Sequence, residues 1–482
     1  MEEVKLSDDV IEQIKDFDYE ELTNEQSLLI DKLILNEELK KRYSKYGLCK
    51  KCKQPKTNNN WCQSCNVKYC QQNFKNWTSG NNEVDKFIQK SQLNAKNDYE
   101  ILEWIEYDRF ESVEYLTKGG FAIIYKAIWK DGYINGWDSK NNQWKRNKYC
   151  WKWYENFPVV LKCLHNSQDI TVEFLREIEL YNMLCTGFSF IGRCYGITKD
   201  PKSNNFMMVM PYAQYGSLRQ HLNNNFNSLS WSEKMRILIK IAESLNDIHI
   251  KELIHRDFHC GNILNYDKCV AHITDLGLCR PANAKSSQDE YKKIYGVLPY
   301  VAPEVLRGKE YTKENDIYGF GIIAYEVCTG LPPYHDIAHD KLLAISICQG
   351  LRPKSDYKIP QLILDIIKQC WDAVPLKRPK ANELSDLLKK LYNELNLSDD
   401  DHVINKQIRE ANKINEKLTT TSSLYTGTTL SYNTNPQAVY TSRLLDFKNL
   451  PEPKNAIDNK DDDNSFGEYS ESIESIDFTK LN

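Results

Sequence analysis

The run His255-Arg256-Asp257-Phe258-His259-Cys260-Gly261-Asn262, followed thirteen residues later by Asp275-Leu276-Gly277, constrains this chain more than any other stretch. It places a carboxylate, an amide and a second carboxylate on two short connected loops. Asp257 can accept a hydrogen bond from a hydroxyl and orient it. Asn262 and Asp275 offer hard oxygen ligands of the kind Mg2+ prefers. Transfer of a phosphoryl group from a magnesium nucleotide requires these three groups.

Further motifs occur in order. Leu116 to Lys126 contains Gly119, Gly120, Ala122 and Ile124 in a pattern like a glycine-rich phosphate loop. Pro158-Val159-Val160-Leu161-Lys162 reads as a buried strand ending in a lysine. Phe174-Leu175-Arg176-Glu177-Ile178 follows as a helical pattern that supplies Glu177. Phe206 to Met210 reads as another buried strand, and Pro211-Tyr212-Ala213 comes directly after it.

Over about residues 105 to 395 the chain resembles eukaryotic protein kinases. Within them it is most similar to the tyrosine-kinase-like group, and to the large sets of such kinases in arbuscular mycorrhizal fungi. The likeness rests on His255 to Leu264 and on Tyr300-Val301-Ala302-Pro303-Glu304-Val305-Leu306. It implies an α+β fold of two lobes, the small one β-rich and the large one helical. It also implies ATP and Mg2+ as cofactors and proteins as substrates. Asp257, Lys162, Asn262 and Asp275 then match the catalytic set, with Mg2+ on Asn262 and Asp275. Gly119, Gly120, Ala122, Ile124, Lys162, Glu177, Met210, Tyr212 and Ala213 match the nucleotide site, Met210 at the gatekeeper position. Asp316 matches an aspartate that holds the catalytic-loop backbone, and Arg378 the arginine that pairs with Glu304. Arg256 would bind a phosphate added to the activation segment at Ser286, Ser287, Tyr291 or Tyr295.

Three departures bear on mechanism. The glycine loop has Thr117 and Ala122 where the family shows glycine, which predicts weaker nucleotide handling. The second motif is Asp-Leu-Gly, whose Leu276 keeps an apolar group for packing. His259 and Val297 stand where serine/threonine kinases place a hydrogen-bonded lysine and threonine. Serine/threonine specificity is therefore a lean from the group resemblance, with tyrosine or dual specificity open. His259 has two readings, a neutral ring hydrogen-bonded in the loop or a charge near the γ-phosphate.

Outside this region, residues 1 to 45 suggest one or two short helices, with Ile11, Ile14, Leu28, Leu29, Leu33 and Leu35 as apolar positions. Residues 46 to 70 hold Cys49-x2-Cys52-x9-Cys62-x2-Cys65, with Cys70 as a spare or an alternative ligand. Two such knuckles can aim four thiolates at one structural Zn2+, as in a zinc ribbon. Independent thiols, or a hairpin that has lost its metal, are the other reading. Residues 71 to 98 are polar and read as a linker that runs to 104, and the apolar residues of Ile101-Leu102-Glu103-Trp104-Ile105 read as a lead-in segment packed against the small lobe. The insertion from Ile128 to Pro158, with Trp137, Trp144, Tyr149, Trp151 and Trp153, reads as an extended hairpin; its tryptophans either pack across strands or dock a peptide. Ser230 and Glu233 form a capping box for a helix whose apolar stripe is core. Residues 396 to 482 read as a disordered acidic tail with a short exposed helix at 402 to 418.

The net charge of −4 over 482 residues makes nucleic acid an improbable partner, despite a short basic stretch at Lys50, Lys51, Lys53 and Lys56. No apolar run approaches the length of a membrane span, and the acidic start lacks the layout of a signal peptide. Fifteen cysteines without a secretion signal read as reduced thiols of a cytoplasmic protein, with the nucleus as a second compartment. The leading functional expectation is an ATP-dependent protein kinase in intracellular signalling. The alternative is a pseudokinase or scaffold that signals through its N-terminal module and tail.

Overall fold

A computed structural model describes residues 5–456, apart from 121, 139–140, 142, 148–156, 166, 169, 186–190, 283–292, 398–401 and 422–428. The chain divides into two compact units, Met1–Gly187 with Arg193–Tyr212, and Phe188–Gly192 with Ala213–Asn482.

The first unit opens with helices Asp8–Ile14, Asn24–Leu33 and Glu37–Tyr46, one more than the sequence suggested. Ser7, Thr23 and Asn36 cap them by accepting N–H groups that the first turn leaves without partners. Ile11, Ile14, Ile30, Ile34, Leu39 and Tyr43 form their core. Leu28 and Leu35, expected among the apolar positions, face solvent instead.

The linker expected at 71 to 104 is a correction. Helix Gln63–Asn73 runs into it, and a second helix, Asn82–Asn94, fills its middle. Asn81 caps this second helix, and Val84, Ile88 and Gln92 at four-residue spacing give it a buried stripe. Gln92 donates to Leu102 O at 2.8 Å, so a polar letter marks an inward position. Glu103–Trp104 then joins the sheet as a strand parallel to Gly196–Lys199.

That sheet has six strands, in the spatial order Glu103–Trp104, Gly196–Lys199, Phe206–Pro211, Phe157–Leu164, Ala122–Trp129, Phe110–Lys118. Val159, Leu161, Ala127, Trp129, Met207 and Val209 build its core. The expected hairpin is present as Tyr133–Asp138 paired with Gln143–Asn147, with Trp137 opposite Trp144. Its other aromatic residues, Tyr149, Trp151 and Trp153, lie outside the described residues.

The second unit is mainly helical. Ser230 and Glu233 form the capping box of helix Trp231–Ile250, which buries Met235, Leu238, Ala242, Leu245 and Ile248. Helix Lys313–Thr329 is buried from Asn315 onward, as its nearly continuous apolar sequence requires. The tail expectation narrows. Helix Val403–Thr421 forms where a short exposed helix was read, but it buries Ile404, Ile408 and Ala411, and residues 429–456 also lie on this unit. Their strand Arg443–Leu445 pairs with Ile294–Gly296.

Candidate active site

In the first unit, strand Phe157–Leu164 ends near Lys162, which sits opposite Ile124 on one neighbour and Met208 on the other. Helix Val172–Leu184, capped by Thr171, presents Glu177. Lys162 Nζ donates to Glu177 Oε1 at 2.7 Å, and both residues are buried. Pairing and burial hold the ammonium in place, because a buried charge is tolerated only with a partner. Gly119 N–H donates to Ala122 O at 2.8 Å, closing the turn between strands Phe110–Lys118 and Ala122–Trp129. Met210 is buried in strand Phe206–Pro211, and Lys126 lies over the Tyr212 ring.

In the second unit, the hairpin Ile263–Asp267 with Val270–Ile273 carries Asn262 and Asp275 at adjacent strand ends. Thr274 N–H donates to Asn262 O at 2.9 Å, which fixes the two loops together. Asp275 has φ 59, a left-handed backbone uncommon outside glycine. Asn262 spends its amide nitrogen on Asp257, donating to the main-chain oxygen at 2.9 Å and to Oδ2 at 3.0 Å. The amide is thereby oriented with its oxygen as the group that can meet a cation, which fits Mg2+.

Asp316 underpins the loop. Its carboxylate accepts His255 N–H at 2.8 Å and Arg256 N–H at 3.2 Å, and it lies 3.0 Å from His249 Nε2. Arg256, at φ 70, places its guanidinium over the Tyr311 ring. Of the phosphate positions read for it, Ser286, Ser287 and Tyr291 lie outside the described residues, and Tyr295 sits in strand Ile294–Gly296. Arg378 grips Glu304 through two bonds of 2.6 and 2.9 Å. Breaking such a buried pair from one side costs about 3–5 kcal/mol.

Asp257 is buried, and burial alone would raise its pKa. Hydrogen bonds from His259 and Ser442 work against that and bring it down to about 2. It is thus an ionised acceptor at any ordinary pH. His259 Nδ1 accepts Gly261 N–H at 3.0 Å, so its Nε2 is the donor. That nitrogen lies 3.5 Å from Asp257 Oδ1. Of the two readings, the geometry matches the ring hydrogen-bonded in the loop.

Residues 110–388 match the family model described as protein tyrosine and serine/threonine kinase. The chain belongs to this protein kinase family. It is 28% identical to the probable serine/threonine-protein kinase gdt4 of Dictyostelium discoideum, over 60% of this chain and 16% of that one. A probable LIM domain-containing serine/threonine-protein kinase of the same organism is 26% identical, over 66% of this chain and 47% of its own. The tyrosine-protein kinase SPK-1 of Girardia tigrina is 25% identical, over 49% of each chain. The chain therefore spans less than half the length of each of these relatives.

One residue at the loop that carries Asp257 was not read from the sequence. Ser442 Oγ donates to Asp257 Oδ2 at 2.5 Å and lies 3.3 Å from His259 Nε2. Nothing in its local letters, Tyr440-Thr441-Ser442-Arg443, marks it out from the other hydroxyl residues of the tail.

The cysteine knuckles stand apart from the kinase chemistry. Cys49, Cys52, Cys62 and Cys65 place their sulfurs within 4.8 Å of one another. Cys49 and Cys65 sulfurs are 3.8 Å apart, and those of Cys52 and Cys62 3.4 Å. Tetrahedral bonds of about 2.3 Å set sulfurs about 3.8 Å apart, so the cage has the size of a ZnS4 centre. Cys70 is not among the four. It packs with Trp61, Ala95, Ile101 and Ile134, where burial pushes its thiol up to about 12.

Proposed function

We propose that the chain is an ATP-dependent protein kinase that transfers the γ-phosphoryl group to protein hydroxyls, serine or threonine before tyrosine. The observation that carries this reading is the Asp257–Asn262 pair: a buried carboxylate held by the Asn262 amide nitrogen, which leaves the amide oxygen as the group for a cation. Asn262 and Asp275 would hold Mg2+, which supplies neutralising charge to the phosphate oxygens. Lys162, steadied by Glu177, would pair with the α- and β-phosphates. Gly119, Gly120, Ala122 and Ile124 would cover the nucleotide, with Met210, Tyr212 and Ala213 around its base. Asp257 accepts the acceptor hydroxyl's proton and aligns its oxygen. The names of the Dictyostelium relatives support serine or threonine as the acceptor.

Phosphate transfer to a generic protein substrate, run beside Asp257→Asn, tests this. General-base loss predicts a fall of roughly 10²–10⁴-fold. Equal rates would leave the pseudokinase reading, which the substituted glycine loop favours. We further propose that the four cysteines hold one structural Zn2+, with four thiolates closing its shell and leaving no open position for catalysis.

A further inference from the structure

The tail segment meets the second unit along a continuous track. Leu430 N–H donates to Asn223 O, and Asn435 N–H to His335 O at 2.8 Å. Val439 N–H donates to His339 Nδ1 at 3.1 Å, while His339 Nε2 lies 3.2 Å from Tyr334 O. The same Nδ1 lies 2.9 Å from Val439 O, and burial holds the His339 pKa below its ordinary value. Tyr440 donates its hydroxyl to Pro333 O at 2.9 Å and lays its ring over Arg219. Beyond Ser442, Arg443, Leu444 and Leu445 stand opposite Gly296, Tyr295 and Ile294 in an antiparallel ladder. Leu445 is 3% exposed, and Asn455 reaches Ala373 N–H and Asp372 farther on.

Ser442 lies at the centre of this track, held from both sides, with its hydroxyl proton aimed at the catalytic carboxylate. A neighbouring strand that pairs by main-chain bonds and presents one side chain to a site is a common mode of peptide binding. We propose that residues 429–456 are a tethered substrate and that the kinase phosphorylates Ser442 of its own chain. This rests on the protein kinase reading above and deepens it. In the transfer, the bond from Ser442 Oγ to the γ-phosphorus of ATP forms as the bond from that phosphorus to the β,γ-bridging oxygen breaks. ADP leaves with the electron pair, and the hydroxyl proton passes to Asp257.

The ladder also selects the acceptor. It fixes the main chain where a one-carbon side chain reaches Asp257, so a tyrosine hydroxyl at the end of a ring would overshoot. Tyr440, the nearest phenol before it, is turned to Pro333 instead. A phosphate on Ser442 brings about −1.5 to −2 charges against the buried Asp257 carboxylate. Repulsion then loosens the segment and opens the surface to other substrates.

The test follows phosphorylation of the full chain with Mg-ATP by mass spectrometry, with myelin basic protein as a second substrate. Ser442 is expected to be modified at a rate unchanged over about a hundredfold dilution, as an intramolecular acceptor must be. Leu445→Asp, which puts a charge into the docked strand, should slow Ser442 modification roughly tenfold or more, the factor implied by one buried leucine. It should speed myelin basic protein phosphorylation. Amide exchange without nucleotide should show 294–296 and 443–445 protected in the wild type and exposed in Leu445→Asp. Myelin basic protein phosphorylated while Ser442 stays unmodified, or Ser442 modified only in proportion to concentration, would overturn the tethered substrate and leave the kinase. Loss of transfer to both substrates would overturn the kinase reading and the tethered substrate together.

Discussion

The cysteine knuckles and the Ser442 segment both lie outside the matched kinase region, and each is held in place by opposite means. At the knuckles the specific atoms are side-chain sulfurs, four of them within 4.8 Å of one another. The short turns serve them: Cys49 N–H donates to Gln54 O, and Lys53, at φ 56, donates back to Cys49 O. In the Ser442 segment the specific atoms are largely main-chain N–H and C=O groups, with side chains such as Tyr440 and Leu445 filling in. A structure held by four particular side chains should fail all at once when one is lost. One held by distributed contacts should loosen by degrees.

The largest expected effect tests the first half of that contrast. Cys62→Ala should abolish about one equivalent of zinc per chain and melt the module around it, since structural zinc contributes about 10 kcal/mol or more to folding. Metal analysis and tryptophan fluorescence read this out, because Trp137 stacks on Tyr69 of the helix that follows Cys62. A protein without metal whose thiols react independently would break the comparison at its first term. Breaking the distributed contact should be milder. Leu445→Asp is expected to cost about 2–3 kcal/mol of docking, the value of one buried leucine, and to leave zinc content unchanged. Tyr440→Phe sits lower still. It removes only the bond to Pro333 O, about 1 kcal/mol, and should raise the exchange of the neighbouring amides without releasing the segment.

The same contrast explains what could be read before any coordinates. Asp257, Asn262, Asp275, Lys162 and Glu177 were legible because phosphoryl transfer demands those side chains in that order. The cysteines were legible because tetrahedral sulfur coordination demands that spacing. The Trp137–Trp144 hairpin was legible as a tryptophan-rich insertion between two strands. Ser442 did not show, because a three-residue strand docked by its backbone carries no residue-type signature. Helix Asn82–Asn94 was hidden for another reason. Its buried stripe includes Gln92, and its surroundings are so rich in Asn, Gln and Lys that composition outweighed periodicity. Arg219 was silent as well. Its role emerges only where Glu326, Tyr300 and Tyr440 gather from distant parts of the chain.

The smallest effect concerns the point where the distributed segment touches a specific group. Ser442 donates to the ionised form of Asp257, so docking lowers the carboxylate's pKa and is in turn strengthened by ionisation. For a depressed carboxylate the contribution is complete above the undocked pKa and fades as pH falls toward the docked value, about 2. Wild-type docking should therefore persist at the acid end of the native range. His259→Asn removes one of the hydrogen bonds that lower the carboxylate's pKa, leaving burial to push it back up. Its docking should fade at a higher pH than the wild type's, by a fraction of a kcal/mol at neutrality. Pepsin cleavage between 440 and 450, followed from pH 5 downward, reads the difference directly. Identical cleavage midpoints in the two proteins would mean that backbone pairing alone holds the segment, and that Ser442 rests on Asp257 without being bound by it.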